Sequence, residues 1–218
     1  MGSGAALVIM ARYPAVGRVK TRLARSIGVE RALALYRAFL RDLDVRFTRA
    51  PRPLVWAFHP PELDFAAVVT PGTRCVPQIG RDLGERMHNC FRLLCGEFER
   101  VLMIGVDAPH LRDEWLDEAE RALANVDVVL GPSNDGGYYL IAMRQPHDVF
   151  SGVAMSTPEV LIDTQRAAAR HGLRVHLLPP TFDVDTVDDL ERLQRLLTTD
   201  VAAQLPATAT LLRSWSAP

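Results

Sequence analysis

Short apolar runs alternate with amphipathic stretches along most of the chain. The runs AALVIM (5–10), PLVWAF (53–58), TRCVPQI (73–79), VLMIGV (101–106), DVVLGP (127–132), GYYLIAM (137–143) and RVHLLP (174–179) predict strands. Between them, apolar residues recur at helical spacing over 31–43, 82–98, 112–126, 157–171 and about 186–197, which predicts helices. Strands that are apolar throughout, rather than alternating, are buried on both faces. Alternating with helices, they predict an α/β fold of three layers, α/β/α, with a mostly parallel central sheet. The pattern predicts one domain over 5–198. The Ala/Thr/Pro-rich tail, 199–218, reads as a loose arm or as an oligomer contact through Leu211, Leu212 and Trp215, which leaves a homodimer open.

Composition narrows the function classes. With 48% hydrophobic and 23% charged residues over 218 positions, the chain is an ordinary globular one. A formal net charge of −1 argues against general nucleic-acid binding, so any recognition of anions has to be local. No apolar stretch reaches the roughly 20 residues needed to span a bilayer, and the start lacks the pattern of a secretory signal. Cys75, Cys90 and Cys95 form neither a disulfide framework nor a metal-ligand spacing. Cys90 and Cys95 fall within the apolar series Met87, Phe91, Leu94 and Phe98 and read as core thiols, in keeping with a cytoplasmic protein.

The candidate chemistry lies where the strands end. In an open α/β sheet, ligands bind outside the carboxyl ends of the strands. Here those exits read ARYPAVGRVKTRL, DAPHL, SNDGGYY and PTFDVDTVDDL, each carrying cations, carboxylates or glycines. The first holds Arg12, Arg18, Lys20 and Arg22, with Pro14 and Gly17 to bend the backbone, and reads either as a solvated turn or as a phosphate cradle. Neither the Walker A pattern nor the dinucleotide fingerprint is present. Asp107 ends a fully apolar strand, where a carboxylate needs a metal or a cation to offset lost hydration. Thr186 and Asp189 form a capping box, leaving Asp183 and Asp185 without a local helix-start role. Two carboxylates from different strand ends suit Mg²⁺ or Mn²⁺ held jointly with substrate phosphates. Gly136 and Gly137, followed by Tyr138 and Tyr139, read equally as a tight turn and as a close approach to a ligand. His110, beside Asp107, reads as structural rather than catalytic.

The segments ARYPAVGRVKTRLA, QIGRDLGERM, GVDAPHL, GPSNDGGYYLIAM, STPEVLIDT and FDVDTVDDLERL together resemble the DUF2064 family, from about residue 6 to 195. These GT-A-type transferases are related to molybdopterin-guanylyltransferase-like and 2-phospholactate-guanylyltransferase-like proteins. The resemblance implies a nucleotide-diphospho-sugar transferase fold. It implies nucleotide binding by Ala11, Arg12, Gly17, Lys20, Arg22, Gly80 and Leu83, and metal binding by Asp107 and Asp185. It places Glu85, Arg86, Asp135, Gly136, Gly137, Tyr138, Ser156 and Thr157 on the acceptor side, with Lys20 and Asp107 as the catalytic pair. The chain departs from the family pattern in having Arg12 where Lys is common, and Met155 where Trp often precedes the Ser-Thr pair. It also lacks the glycosyltransferase D-x-D, because Ala108 and Pro109 follow Asp107.

These features lead to an expected metal-dependent nucleotidyltransferase. It would take a nucleoside triphosphate and a small phosphorylated or hydroxylated acceptor and release pyrophosphate. A glycosyltransferase using a nucleotide sugar is the alternative, and a non-catalytic nucleotide-binding protein the second. Neither nucleic acid nor membrane is an expected partner.

Overall fold

A computed structural model describes residues 2–216. In chain order the elements are β1 (Gly2–Arg12), α1 (Thr21–Ile27), α2 (Val29–Thr48), β2 (Leu54–His59), β3 (Arg74–Pro77), α3 (Leu83–Leu94), β4 (Phe98–Gly105) and α4 (Asp113–Ala122). They continue with β5 (Val128–Pro132), β6 (Tyr138–Met143), α5 (Val160–Arg170), β7 (Val175–Leu177), α6 (Val187–Leu196), α7 (Val201–Gln204) and α8 (Pro206–Ser216). All seven strands join one sheet in the order β3-β2-β1-β4-β6-β5-β7. Every pairing that does not involve β6 is parallel, and both pairings of β6 are antiparallel. The sheet is thus mostly parallel, with one reversed strand inside it.

Alternation along the strands builds the two outer layers. Leu7, Ile9, Trp56, Phe58, Leu102 and Ile104 point to one face and pack with residues of α2, α4, α6 and α8. Their neighbours Val8, Val55, Ala57, Val101 and Met103 point to the other, where α3 and α5 bring Phe91, Leu94, Ala167 and Ala168. Both faces of β1 are therefore covered, which is why its sequence carries no polar alternation.

The segment read as a tail folds back. Residues 201–216 form α7 and α8, and α8 lies along α2 with Leu205, Ala209 and Leu212 buried. Asp42 of α2 fixes its start, accepting from Ala207 N at 2.8 Å, Thr208 N at 2.9 Å and Thr208 Oγ1 at 2.6 Å. A carboxylate satisfying orphan amides of a helix's first turn is a cap supplied from a distant part of the chain. Of the thiols, Cys90 is buried and burial pushes it up to about 12, whereas Cys75 and Cys95 are only half-buried. The helix expected over 82–98 stops at Leu94, and Phe98 already begins β4.

The reversal of β6 matters for the site. Because β5 runs parallel to β1 through the sheet and β6 returns, the β5–β6 turn sits at the same edge as the ends of β1, β4 and β7. The parallel bridge between Ser133 and Thr181 extends that edge toward residues 181–185. All four strand-exit segments are brought to one rim.

Candidate active site

At this rim a cleft of about 410 Å³ opens between the ends of β1 and β4, the β5–β6 turn, the 155–158 segment and the 183–185 segment. Its walls include Arg22, Leu83, Asp107, Asp135, Gly137, Tyr138, Ser156, Thr157 and Asp185, together with Met10, Met87, Met103, Met155 and Asp183. A larger groove of about 1080 Å³ runs between α2 and α8, but none of the strand-exit residues lines it. The smaller cleft is where the carboxylates, glycines and a basic side chain converge, which makes it the candidate site.

Lys20 is the hub. It precedes α1 in a left-handed conformation, φ 49°, which costs a non-glycine residue of order 1–3 kcal/mol and persists only when the surroundings hold it. They do. The Lys20 side chain is 2% exposed, and its ammonium donates to Val184 O at 2.8 Å while reaching Asp107 Oδ1 at 2.5 Å and Asp185 Oδ1 at 3.3 Å. Two of its donors are hydrogen-bonded and its charge is paired with both carboxylates, and the ring of Phe39 lies 5.5 Å away. Lys20 holds together the two carboxylates singled out by the sequence, one from the end of β4 and one from the segment after β7.

The other cations of the first loop part company. Arg22 stays 64% exposed, lines the cleft and lies 3.7 Å from Asp185. Arg12 and Arg18 face a separate recess of about 320 Å³ with Tyr13, His59, Pro60 and Leu63. Tyr36 fixes Arg12 by its backbone: the hydroxyl accepts from Arg12 N at 2.8 Å and donates to Arg12 O at 3.1 Å. Ala11 is buried, and its carbonyl accepts from the buried Gln78 amide at 3.2 Å. Gly17 takes φ 68° and turns the loop between Arg12 and Lys20.

Residues 80–86 split similarly. Leu83 faces the cleft, but Glu85 accepts from Arg81 N at 2.9 Å and Arg81 Nε at 3.0 Å, which holds its carboxyl below the usual range. Arg86 donates to Gly80 O at 3.0 Å, so it closes its own loop. Neither Glu85, Arg86 nor Gly80 is part of the cleft wall.

The opposite wall depends on glycine. Gly136 has φ 90°, and a Cβ there would fall 1.9 Å from Pro158 O, so only hydrogen lets the 156–158 segment close against the turn. Asp135 accepts from Gly137 N at 3.0 Å, and Thr157 donates to Ala154 O at 3.0 Å. Asp183 accepts from Ser133 Oγ at 2.7 Å; burial first, and the Asp107 charge next, push it up to about 7. Asp185 is also raised, by burial, with Lys20 opposing. The Ser133 contact is invisible in sequence, since a serine in a turn carries no signal of a carboxylate 50 positions away.

His110 lies behind this cluster. Its Nε2 is 3.1 Å from Thr181 Oγ1, its ring lies on Phe182, and burial with nearby Arg192 lowers it to about 4. It supports the 181–185 segment as a neutral ring. The capping box of Thr186 and Asp189 is present at the start of α6.

Fold and cleft together define a protein of the nucleotide-diphospho-sugar transferase fold. The chain belongs to the DUF2064 family, described as uncharacterized proteins conserved in bacteria, whose model matches residues 39–157. It is 34% identical to a candidate nucleotide-diphospho-sugar transferase from Desulfovibrio desulfuricans G20 of solved structure, at a TM-score of 0.89 over 96% of this chain and 94% of that one. A CMP:2-keto-3-deoxy-manno-octonic acid synthetase solved with CTP is 14% identical, at TM-score 0.57 over 89% of this chain and 98% of that one. The 4-diphosphocytidyl-2C-methyl-D-erythritol synthase of Anaerococcus prevotii is 11% identical, at TM-score 0.57 over 89% and 98%. At these last two identities the likeness is one of fold. No curated protein matches the sequence. No helix among the described residues is long and apolar enough to cross a membrane.

Proposed function

We propose that the chain is a divalent-metal-dependent transferase acting on a nucleotide, and specifically a nucleotidyltransferase that releases pyrophosphate from a nucleoside triphosphate. The observation that carries this reading is the meeting of Asp107 and Asp185 on one ammonium beside an open cleft, with Arg22 alongside. Both carboxylates offer an oxygen within 3.3 Å of the Lys20 ammonium, so the two side chains are close enough to share one cation. Among the described residues no third His, Cys, Asp or Glu completes a protein-only cage. Such a sparse oxygen set fits Mg²⁺ or Mn²⁺, which keep waters and share ligands with substrate phosphates. A metal held by Asp107 and Asp185 in competition with the Lys20 ammonium would supply charge neutralisation to phosphate oxygens.

The chain's own residues do the rest. Arg22 presents a bidentate fork to phosphate from the cleft wall. Arg12 and Arg18, on the outer side of the same loop, line a separate recess and take no part in the cleft. The acceptor oxygen bonds to the α-phosphorus as the bond to the β-phosphate oxygen breaks. That oxygen leaves with the electron pair on pyrophosphate, and the acceptor proton passes to solvent. Positioning and electrostatics carry such a displacement without a covalent enzyme intermediate.

Glycosyl transfer from a nucleotide sugar is the second reading, favoured by the 34% identical candidate nucleotide-diphospho-sugar transferase. Against it stands the single Asp107, followed by Ala108 and Pro109. A thermal-shift panel of nucleoside triphosphates and nucleotide sugars, each with and without Mg²⁺, identifies the donor. Product analysis then separates the readings. Pyrophosphate from a triphosphate supports nucleotidyl transfer; nucleoside diphosphate from a sugar donor, with no pyrophosphate, replaces it with the second reading.

A further inference from the structure

The walls of the cleft carry four carboxylates and a single basic side chain. Among its lining residues Arg22 is the sole Lys, Arg or His, and it lies on the Asp185 side. The remaining cations of the neighbourhood are spoken for. Lys20 is held by two carboxylates and a carbonyl, Arg86 is bonded to Gly80 O, and Arg12 and Arg18 face another recess. The β5–β6 turn and the 156–157 segment bring Asp135 and the hydroxyls of Ser156 and Thr157 to the wall, and Asp183, bonded to Ser133 Oγ, lies between Asp135 and Asp107. The body of the cleft is apolar: Met10, Leu83, Met87, Tyr138, Met155 and Val160. Leu83 is 41% exposed, and Met155 reaches across to α3, where its Cε would lie 3.0 Å from a Cβ at Gly84. Flexible thioether side chains adapt to irregular apolar ligands.

An anionic group entering beside Asp135 would meet a carboxylate with no basic side chain on that part of the cleft wall, while an apolar body would find matching surface. Resting on the transferase reading above, we propose that the acceptor is an unphosphorylated hydroxyl compound with an apolar body, its hydroxyl toward the Asp107–Asp185 end and its carbon skeleton on the methionine-lined wall. This excludes the phosphorylated half of the acceptor class that the sequence alone leaves open.

Matched probes test it: 1,2-hexanediol, its monophosphate ester, and ethanediol. Saturation-transfer NMR reads their binding to the protein alone and to protein loaded with a stabilising nucleotide and Mg²⁺. Hexanediol should bind at least tenfold tighter than its phosphate, and tighter than ethanediol by up to about fourfold for each added methylene that is buried. Asp135→Lys should reverse the phosphate discrimination, a gain that misfolding cannot imitate. Met155→Ser should weaken hexanediol while leaving the nucleotide-induced rise in melting midpoint unchanged. Equal or tighter binding of the phosphate ester overturns the charge argument. Equal binding of ethanediol and hexanediol overturns the apolar one, and so does binding of none of the probes. Loss of the nucleotide shift alone strikes the transferase reading instead, since the diol comparison is also made on the unloaded protein.

Discussion

Replacing Lys20 by methionine keeps an unbranched side chain one atom shorter and removes its charge and donors. Two carboxylates then share a pocket with Arg22 as their nearest cation, at 3.7 Å from Asp185. Breaking a fully buried ion pair costs about 3–5 kcal/mol. Here Asp107 and Asp185 remain 45% and 31% exposed, so water offsets part of that, and a loss of about 2 kcal/mol is expected. For a chain of this size the midpoint should fall by about 4–8 °C.

Two further signs belong to this mechanism and to no general packing loss. The first is a metal response. In the wild type a divalent ion has to compete with the ammonium; in Lys20→Met it replaces it. Mn²⁺ should therefore raise the midpoint of the variant more than that of the wild type, and at about 100 times its dissociation constant return about 2.7 kcal/mol. The second is pH. Burial already raises Asp185, and Lys20 opposes that rise. Without the ammonium its folded pKa moves further above the unfolded value near 3.9, so the variant's deficit is greatest at neutral pH. It should shrink as pH falls toward 4, where the folded carboxyl is protonated and the unfolded one is becoming so. Melting curves over pH 4–8 with and without Mn²⁺ suffice. A variant as stable as wild type without metal, or an equal Mn²⁺ shift in both proteins, refutes the account of Lys20 as the tie between the carboxylates.

Asp107→Asn should abolish turnover on the identified donor by at least about 100-fold. Its midpoint should stay within a few degrees of wild type, because Lys20 keeps Asp185 and Val184 O; retained turnover per folded molecule makes Asp107 structural. Gly136→Ala should cost about 2–4 kcal/mol by urea unfolding, because the new methyl meets Pro158 O at 1.9 Å and the backbone is left-handed; a neutral result removes the proposed closure of the 156–158 segment. His110, neutral in the fold down to about 4 with Arg192 nearby, binds its proton in the unfolded chain already near 6.5. The unfolded state thus holds more protons between those values, and unfolding free energy should fall as pH drops from 6.5 to 4, by up to about 3 kcal/mol. His110→Gln should flatten that slope, and an unchanged slope places the titration elsewhere.

The elements were legible because burial on both faces writes itself into consecutive residues: β1, β4 and β5 read as unbroken apolar runs. The same rule hides direction. YYLIAM of β6 is as apolar as its neighbours β4 and β5, so its reversal leaves no trace in composition, although it is what sets the Asp135–Gly137 turn on the rim that carries the candidate site. The C-terminal segment was opaque for a related reason. Its Ala and Thr residues have weak periodicity, and its cap, Asp42, lies 165 positions from Ala207. The cations of the first loop show the limit most clearly. Arg12, Arg18, Lys20 and Arg22 share one short basic stretch, yet one is buried, one lines the cleft and two face another recess. What separates them is not local chemistry but the return of Val184 and Asp185 to the start of α1, a contact spanning 164 and 165 positions. A strand-exit rule finds the neighbourhood, because the sheet imposes it on every loop alike. Which cation meets phosphate and which meets carboxylate follows only once the loops are docked, and that is why a lysine whose type suits a phosphate has its charge committed to Asp107 and Asp185.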